Sequence, residues 1–173
     1  MPEIAQGLKL LADFNVDCVI VGGVAAWARG SSQATFDVDV CYARDQQNLE
    51  RLIAALRSVK ARLRGAPESV PFILDEGTLR RGLNFTFETD VGDLDILGEV
   101  KGVGTYSDCL DGAEEIELFG HLFRVLSLEK LIDSKRAAAR AKDIQALAEL
   151  EAILEYRDSV KERPFETDDK NPD

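Results

Sequence analysis

The segment Phe36-Asp-Val-Asp-Val-Cys-Tyr42 alternates acidic and apolar residues with the two-residue period of a β-strand. On such a strand Asp37 and Asp39 leave the same face, because side chains two residues apart point in the same direction. Two carboxylates on one face beside a core repel each other and lose hydration. A divalent cation would compensate this cost, since Mg²⁺ prefers carboxylate oxygens. The alternative is a solvated edge strand whose apolar residues point inward.

The same pattern recurs further along the chain, in Asp93-Leu-Asp95-Ile96. Three or four carboxylates that converge from neighbouring strands could hold two metal ions. Such ions would orient a triphosphate, activate an attacking hydroxyl and stabilise the leaving pyrophosphate. The alternative is a hairpin whose acids serve solubility. The pattern does not decide whether Asp93 shares a metal site with Asp95.

A glycine pair precedes the acidic strand. Residues 16–21 form a β-branched run that predicts a buried strand, and Gly22-Gly23 follows it at the start of a short helix over 24–29. Glycines at such a turn let the backbone approach a phosphate and direct helix N–H groups towards it. Paired glycines are common in turns, so the indication comes from their position, with thirteen residues between Gly23 and Asp37.

The other elements follow from hydrophobic periodicity and from turn residues. We expect a helix near 4–11, a helix over 45–64, hairpins over 84–100 and 115–126, and helices over 127–140 and 144–163. The polar residues 164–173 are predicted to be disordered. The predicted organisation is an α/β (α+β) core at 1–126, C-terminal helices packed on it at 127–163, and a disordered tail at 164–173.

Composition narrows the class of protein. Hydrophobic residues make up 45% of the chain and charged residues 31%, which is typical of a globular protein. The formal net charge of −11 argues against indiscriminate binding of nucleic acid, which requires phosphate neutralisation. No apolar run approaches the ~20 residues that span a bilayer, and the N-terminus lacks signal-peptide features, so we expect a cytoplasmic protein with no membrane partner.

Two of the less common residue types also limit the chemistry. The three cysteines are too few and too scattered for a disulfide framework, and Cys18 and Cys41 are expected to be buried as small hydrophobes. His121 is the only histidine, so a mechanism with a Ser-His-Asp or Cys-His arrangement would depend on it entirely. It stands in an expected turn, which argues against that role.

The motifs together resemble a known family. Val21-Gly-Gly23, Thr35-Phe-Asp37-Val-Asp39-Val40 and Leu94-Asp95-Ile96 are similar to the signature of the nucleotidyltransferase superfamily. The segments 128–135 and 140–143 resemble the abortive-infection (AbiEii-like) toxin branch and its small relatives. The similarity covers residues 16–155, which is most of the chain. It implies a nucleotidyltransferase-type mixed sheet flanked by helices, with a C-terminal helical pair.

The resemblance also implies an activity, the metal-dependent transfer of a nucleotidyl group from a nucleoside triphosphate to an acceptor hydroxyl. The ion would be Mg²⁺ or Mn²⁺. The implied metal-binding and base carboxylates are Asp37, Asp39 and Asp95, and the implied nucleotide-binding residues are Gly22, Gly23, Lys135 and Asp143. The last two stand eight residues apart, so on one continuous helix they would share a face.

Three functions remain open at this point. The acceptor could be an RNA end or a protein hydroxyl, in a toxin-like module with an antitoxin-like protein partner. A catalytically silent relative could bind nucleotide or a partner protein, and Gln33 favours this because relatives often carry Arg there. A third possibility is a small-molecule nucleotidyltransferase of the antibiotic-modifying type. The sequence does not choose the acceptor, the base or the oligomeric state.

Overall fold

A mixed sheet flanked by helices carries the acidic residues. The computed structural model describes residues 2–67 and 72–161, so the predicted tail at 164–173 lies outside the described residues. The first half of the chain forms α1 (Pro2–Asp13), β1 (Cys18–Val21), α2 (Gly22–Ala28), β2 (Asp37–Tyr42), α3 (Gln46–Ser58), β3 (Arg62–Leu63), α4 (Glu76–Arg81) and β4 (Asn84–Thr89). The second half forms β5 (Gly92–Leu97), β6 (Glu99–Val100), β7 (Gly104–Thr105), α5 (Tyr106–Leu110), β8 (Glu114–Leu118), β9 (His121–Val125), α6 (Leu128–Ala138) and α7 (Ala141–Lys161).

The main sheet has seven strands in the order β3-β4-β5-β2-β1-β9-β8, and β6 pairs with β7 separately. The pairs β2–β5 and β1–β9 are parallel, while the other pairs in the main sheet are antiparallel. The predicted α/β class, with a mixed sheet and a C-terminal pair of helices, is confirmed. Among the described helices, none has the length and apolarity that a membrane crossing requires.

Strand β2 divides its residues between two environments. Val38 and Val40 are buried on one face, as the alternation predicts. Helix α1 packs on that face, and a Cβ added at Gly7 would lie only 3.2 Å from Val38 Cγ2. The absence of a side chain at Gly7 therefore allows close contact between helix and sheet. Asp37 and Asp39 consequently point to the opposite face.

The two predicted hairpins are present, as the antiparallel pairs β4–β5 and β8–β9. Cys18, Cys41 and Cys109 are free and buried, so the prediction for the first two is confirmed. The short helices α4 and α5, of six and five residues, were not predicted. Hydrophobic periodicity does not detect segments of one or two turns.

The predicted helix over 45–64 is too long at its C-terminal end. Helix α3 ends at Ser58, Lys60 has a positive φ of 51°, and β3 begins at Arg62. The buried apolar positions within α3 stop at Leu56, and the C-cap residue Val59, buried in a cluster with Leu10 and Ala55, ends the helix. Leu63 instead pairs with Phe87 of β4, which extends the sheet by one strand.

The C-terminal helices are separated by a sharp break. Ser127 caps α6 by accepting the N–H of Lys130, and Ala139 ends this helix with a left-handed φ of 53°. The two separate helices predicted over 127–140 and 144–163 are thus present, and Lys135 and Asp143 lie on different helices and not on one continuous helix with a shared face. The positive φ at Ala139 turns the chain by closing α6 with an αL residue.

One buried amide connects α3 to two strands. The Asn48 side chain accepts the N–H of Asp17 at 2.7 Å and donates to the carbonyl oxygens of Asp17 at 2.9 Å and Ala43 at 2.7 Å. Asn48 is completely buried. Its three hydrogen bonds join the residue before β1 to the residue after β2, so the amide holds the antiparallel β1–β2 pair against α3.

We expect Asn48→Ala to reduce the free energy of unfolding by about 2–3 kcal/mol, because the buried carbonyl oxygen of Ala43 and the partly buried N–H of Asp17 lose their hydrogen bonds to this side chain. The matched control is Gln47→Ala, an exposed residue on the same helix, which should cost less than about 0.5 kcal/mol. Urea unfolding followed by circular dichroism measures both changes. Equal costs for the two variants would contradict the proposed role of Asn48.

Candidate active site

Parallel pairing of β2 with β5 brings the two acidic motifs together. Asp37 lies opposite Asp93, and Asp39 lies opposite Asp95. Residues directly opposite on neighbouring strands share a face. Asp37, Asp39 and Asp95, here called the acidic cluster, each offer a carboxylate oxygen within 4.8 Å of the others. The structure thus places the three predicted carboxyl groups at one point, within the reach of a single cation.

The glycine pair lies directly beside the acidic cluster and makes room for it. A Cβ added at Gly22 would lie 2.0 Å from Asp39 Oδ2, and one at Gly23 would lie 2.3 Å from Thr35 Oγ1. Gly22 also has a positive φ of 60°. Both glycines are therefore required by close side-chain approach, a reason that the strand–turn–helix pattern did not reveal.

Thr35 belongs to the motif that contains Asp37 and Asp39, but the sequence did not indicate a role for it. Its hydroxyl donates to Asp37 Oδ1 at 3.1 Å, while its Cβ lies against Gly23. The hydroxyl thus orients one carboxylate of the acidic cluster. The signal in the sequence was a small hydroxyl residue two positions before the first acid.

The carboxylates of the acidic cluster are poorly compensated. Burial raises the pKa of Asp39 to about 6, and the charges of Asp37 and Asp95 add to the increase. The Gly23 backbone N–H and the Lys135 charge oppose it without cancelling it. Burial also raises the pKa of Asp95, against the opposing charge of Arg64. The site therefore favours additional positive charge.

Arg64 contacts the acids from the β3 edge of the sheet. Its Nη2 contacts Asp95 Oδ1, and its Nε lies 3.3 Å from Asp93 Oδ2. The sequence pattern placed Arg64 at the end of a helix, so this contact was missed. Asp93 itself lies on the cavity wall beside the acidic cluster and faces Arg64.

A second group of charges is built on the two C-terminal helices. Asp143 is completely buried, and it accepts from Lys135 Nζ at 3.0 Å and from Arg140 Nε at 2.6 Å. Burial alone would raise the pKa of Asp143, but the hydrogen bonds from Arg140 and Lys135 outweigh it and lower the pKa to about 2. These three residues, here called the Asp143 triad, carry one net positive charge.

One cavity of about 430 Å³ contains all seven predicted site residues. Its lining includes Gly22, Gly23, Asp37, Asp39, Asp95, Lys135 and Asp143. A larger cavity of about 810 Å³ lies at the other end of β1 and is lined by His121, Asp17 and Arg51. Among its described lining residues there is no member of the acidic cluster, so His121 is remote from the carboxylates.

Comparison with known proteins supports the fold. No family model and no curated protein matches the sequence. A lincomycin-bound lincosamide antibiotic adenylyltransferase, LnuA, superposes with a TM-score of 0.57 and 16% identity over 87% of this chain and 96% of that chain. A Thermotoga maritima protein named as a candidate nucleotidyltransferase, TM1012, superposes with a TM-score of 0.51 and 17% identity over 94% of this chain and 96% of that chain. ANT(2'')-Ia in complex with adenylyl-2''-tobramycin superposes with a TM-score of 0.51 and 17% identity over 89% of this chain and 94% of that chain.

The chain therefore has the fold of nucleotidyltransferases, and the predicted nucleotidyltransferase-type sheet is confirmed. At 16–17% identity these structures establish architecture alone. The resemblance to the AbiEii-like toxin branch stays a prediction.

We expect Gly22→Ala to lower the free energy of unfolding by about 2–4 kcal/mol, because the new methyl adds a clash with Asp39 to the strain of a positive φ. Gly112→Ala is the matched control. Gly112 has a φ of 73° and nothing within 4 Å of its added Cβ, so this variant should cost about 1 kcal/mol from strain alone. Urea unfolding compares the two, and equal costs would contradict the requirement for space at Gly22.

We expect Asp39→Asn to stabilise the metal-free protein at pH 7. The folded-state pKa of Asp39 is about 6 against 3.8 without the fold, so the unfolded state loses its proton first as pH rises. The wild type therefore loses stability between pH 4 and 6, by up to about 3 kcal/mol, and the loss persists above that range.

The measurement is urea unfolding in EDTA at pH 4 and pH 7. The stabilisation by Asp39→Asn should be large at pH 7 and small at pH 4. Asp133→Asn removes a charge from a side chain that is 57% exposed, and it serves as the control. A gain for Asp39→Asn that did not change with pH would contradict the prediction.

Proposed function

We propose that this protein transfers a nucleotidyl group from a nucleoside triphosphate to an acceptor hydroxyl, with Mg²⁺ or Mn²⁺ held by Asp37, Asp39 and Asp95. The observation that carries the proposal is the convergence of three carboxylates within 4.8 Å, in a cavity that also contains Gly22 and Gly23. Neighbouring strands supply these groups, so the backbone of the sheet holds their spacing.

The residues of the acidic cluster fit a hard divalent cation. They offer carboxylate oxygens, which Mg²⁺ and Mn²⁺ prefer. The raised pKa of Asp39 shows that the protein itself leaves negative charge uncompensated there. When bound, the ion would neutralise the triphosphate and the leaving pyrophosphate.

The nucleotide would lie between the glycine pair and the Asp143 triad. The triad carries one net positive charge, and Lys135 faces the same cavity as the acidic cluster. We propose that Lys135 contacts phosphate, while Asp143 positions Lys135 and Arg140. Under the proposed division of the chain, the core at 1–126 would thus supply the glycines and the acidic cluster, and the helices at 127–163 would supply the Asp143 triad. A cavity of about 430 Å³ is of the size that small ligands occupy.

Asp95 is our candidate for the base that accepts the proton of the attacking hydroxyl. Burial raises its pKa, which makes its carboxylate a stronger base at neutral pH than an exposed aspartate. Asp37 is held by the Thr35 hydroxyl and Asp39 lies against Gly22, so both have restricted positions. Asp95 instead contacts Arg64 and lines the cavity.

The identity of the acceptor is the most specific part of the proposal. The motif resemblance supports an RNA end or a protein hydroxyl as acceptor, in a toxin-like module with an antitoxin-like partner. The second candidate is a small-molecule hydroxyl, and the similarity in fold to LnuA and to ANT(2'')-Ia favours it. The net charge of −11 disfavours a polyanionic acceptor relative to a small molecule.

The decisive experiment incubates the full chain with each labelled nucleoside triphosphate, Mg²⁺ or Mn²⁺, and separated RNA, protein and small-molecule fractions. We expect one fraction to become labelled. Asp95→Asn should lower the rate by at least about 100-fold, because it removes a group needed in the transition state. Triphosphate affinity should stay within about tenfold, since the glycines and Lys135 remain.

Asp90→Asn is the matched control, because Asp90 lies at the tip of the same hairpin and pairs with Lys60 on the surface. It should leave the rate unchanged. Binding of triphosphate without labelling of any fraction would instead support the silent nucleotide-binding relative. Absence of nucleotide binding would contradict both readings.

A further inference from the structure

The site contains a positive charge of its own, on a residue that the proposed chemistry does not use. Arg64 follows β3, and its N–H donates to the carbonyl of Thr86 at 2.9 Å. Thr86 pairs with Asp95, which pairs with Asp39. These four residues therefore form one row across the sheet, and the Arg64 side chain reaches over Thr86 to Asp95.

The contact between Arg64 and the acids is incomplete. Nη2 contacts Asp95 Oδ1, but Nε is buried and has no hydrogen-bond partner among the described residues, although it lies 3.3 Å from Asp93 Oδ2. The guanidinium therefore lacks the two parallel hydrogen bonds of a strong arginine–carboxylate pair. The side chains of Arg64, Asp95 and Asp93 are 30%, 14% and 43% exposed.

The ion pairs of Asp143 differ from the ion pair between Arg64 and Asp95 in burial and in hydrogen bonding. Asp143 has no exposed surface, and both of its oxygens accept hydrogen bonds. Asp95 retains access to the cavity and one oxygen of Asp95 faces the acidic cluster. A cation that entered the cavity would compete with Arg64 for Asp95, whereas it would find no free oxygen on Asp143.

We propose that Arg64 is an exchangeable counter-ion, which neutralises Asp95 in the metal-free protein and yields this carboxylate to the divalent ion. The inference rests on the proposed metal site. Asp93 gives the displaced guanidinium a partner, since it already lies 3.3 Å from Nε and is the more exposed of the two acids. This assigns Asp93 a role as the holder of Arg64 and leaves the metal to the acidic cluster.

The exchange has two measurable consequences of opposite sign. Arg64 weakens metal binding, because the ion must replace an existing positive charge at Asp95. Arg64 also stabilises the metal-free fold, because it relieves repulsion within the acidic cluster. Removal of this side chain should therefore tighten metal binding and lower metal-free stability together. A residue with only a structural role would not increase metal affinity when it is lost.

The test is calorimetric titration of the full chain with Mn²⁺ alone, together with unfolding in EDTA. We expect Arg64→Gln to bind Mn²⁺ about tenfold more tightly than the wild type and to unfold at a lower temperature in EDTA. Arg62→Gln is the matched control. It removes the same charge from β3, the strand that Arg64 follows, and Arg62 makes no ion pair within the described residues, so its Mn²⁺ affinity should stay within about twofold of the wild type. Arg64→Lys retains the charge without the guanidinium and should give an intermediate affinity.

The outcomes separate the inference from the proposed function. Mn²⁺ binding by the wild type, with equal or weaker binding by Arg64→Gln, would overturn the counter-ion role and leave the metal site intact. Failure of the wild type and both Arg64 variants to bind Mn²⁺ at millimolar concentration would overturn the metal site and the counter-ion role together. If Arg64→Gln does not fold, Arg64→Lys decides, and an affinity no higher than that of the wild type then overturns the inference.

Discussion

Repulsion among three carboxylates at one end of the sheet is the constraint to which the surrounding structure responds. The parallel pairing of β2 with β5 forces Asp39 and Asp95 side by side, and the register cannot relax without moving the buried valines of β2. Burial, together with the charges of Asp37 and Asp95, raises the pKa of Asp39 to about 6. A group of carboxylates held together at such a cost is a candidate site for chemistry.

The neighbouring residues divide into those that make room and those that supply charge. Gly22 and Gly23 lack side chains because Asp39 and Thr35 occupy the space. Positive charge comes from two directions, from Arg64 at the β3 edge and from the Asp143 triad on the C-terminal helices. Asp143 of the triad is completely buried and both of its oxygens are occupied, whereas the Arg64 contact is partial and open to the cavity. The two cationic groups therefore differ in how easily a ligand could replace their partners.

Much of this arrangement follows from short-range patterns. Period-two alternation located β2 and β5, and the glycine pair marked the turn from β1 into α2. The site residues expected from these motifs share one cavity, although their roles remain proposals. Arg64 was missed for a physical reason. An arginine at the end of an amphipathic helix and one that directly follows a two-residue strand have the same local sequence pattern, and pairing of that strand with β4 distinguishes them. Periodicity predicted two C-terminal helices, but it did not indicate the left-handed residue Ala139 or the contact between Lys135 and Asp143 across the break.

The sequence by itself determined the alternation of faces, the acid pairs and the glycine turn, because each depends on residues within a few positions of one another. Only the tertiary structure decided the rest. Strand order and register place Asp95 beside Asp39, and they bring Arg64 across Thr86 to the same carboxylate. The helix break allows the two C-terminal helices to close on Asp143. These contacts join residues that are distant along the chain, and burial and charge act through space, so local spacing could not specify them.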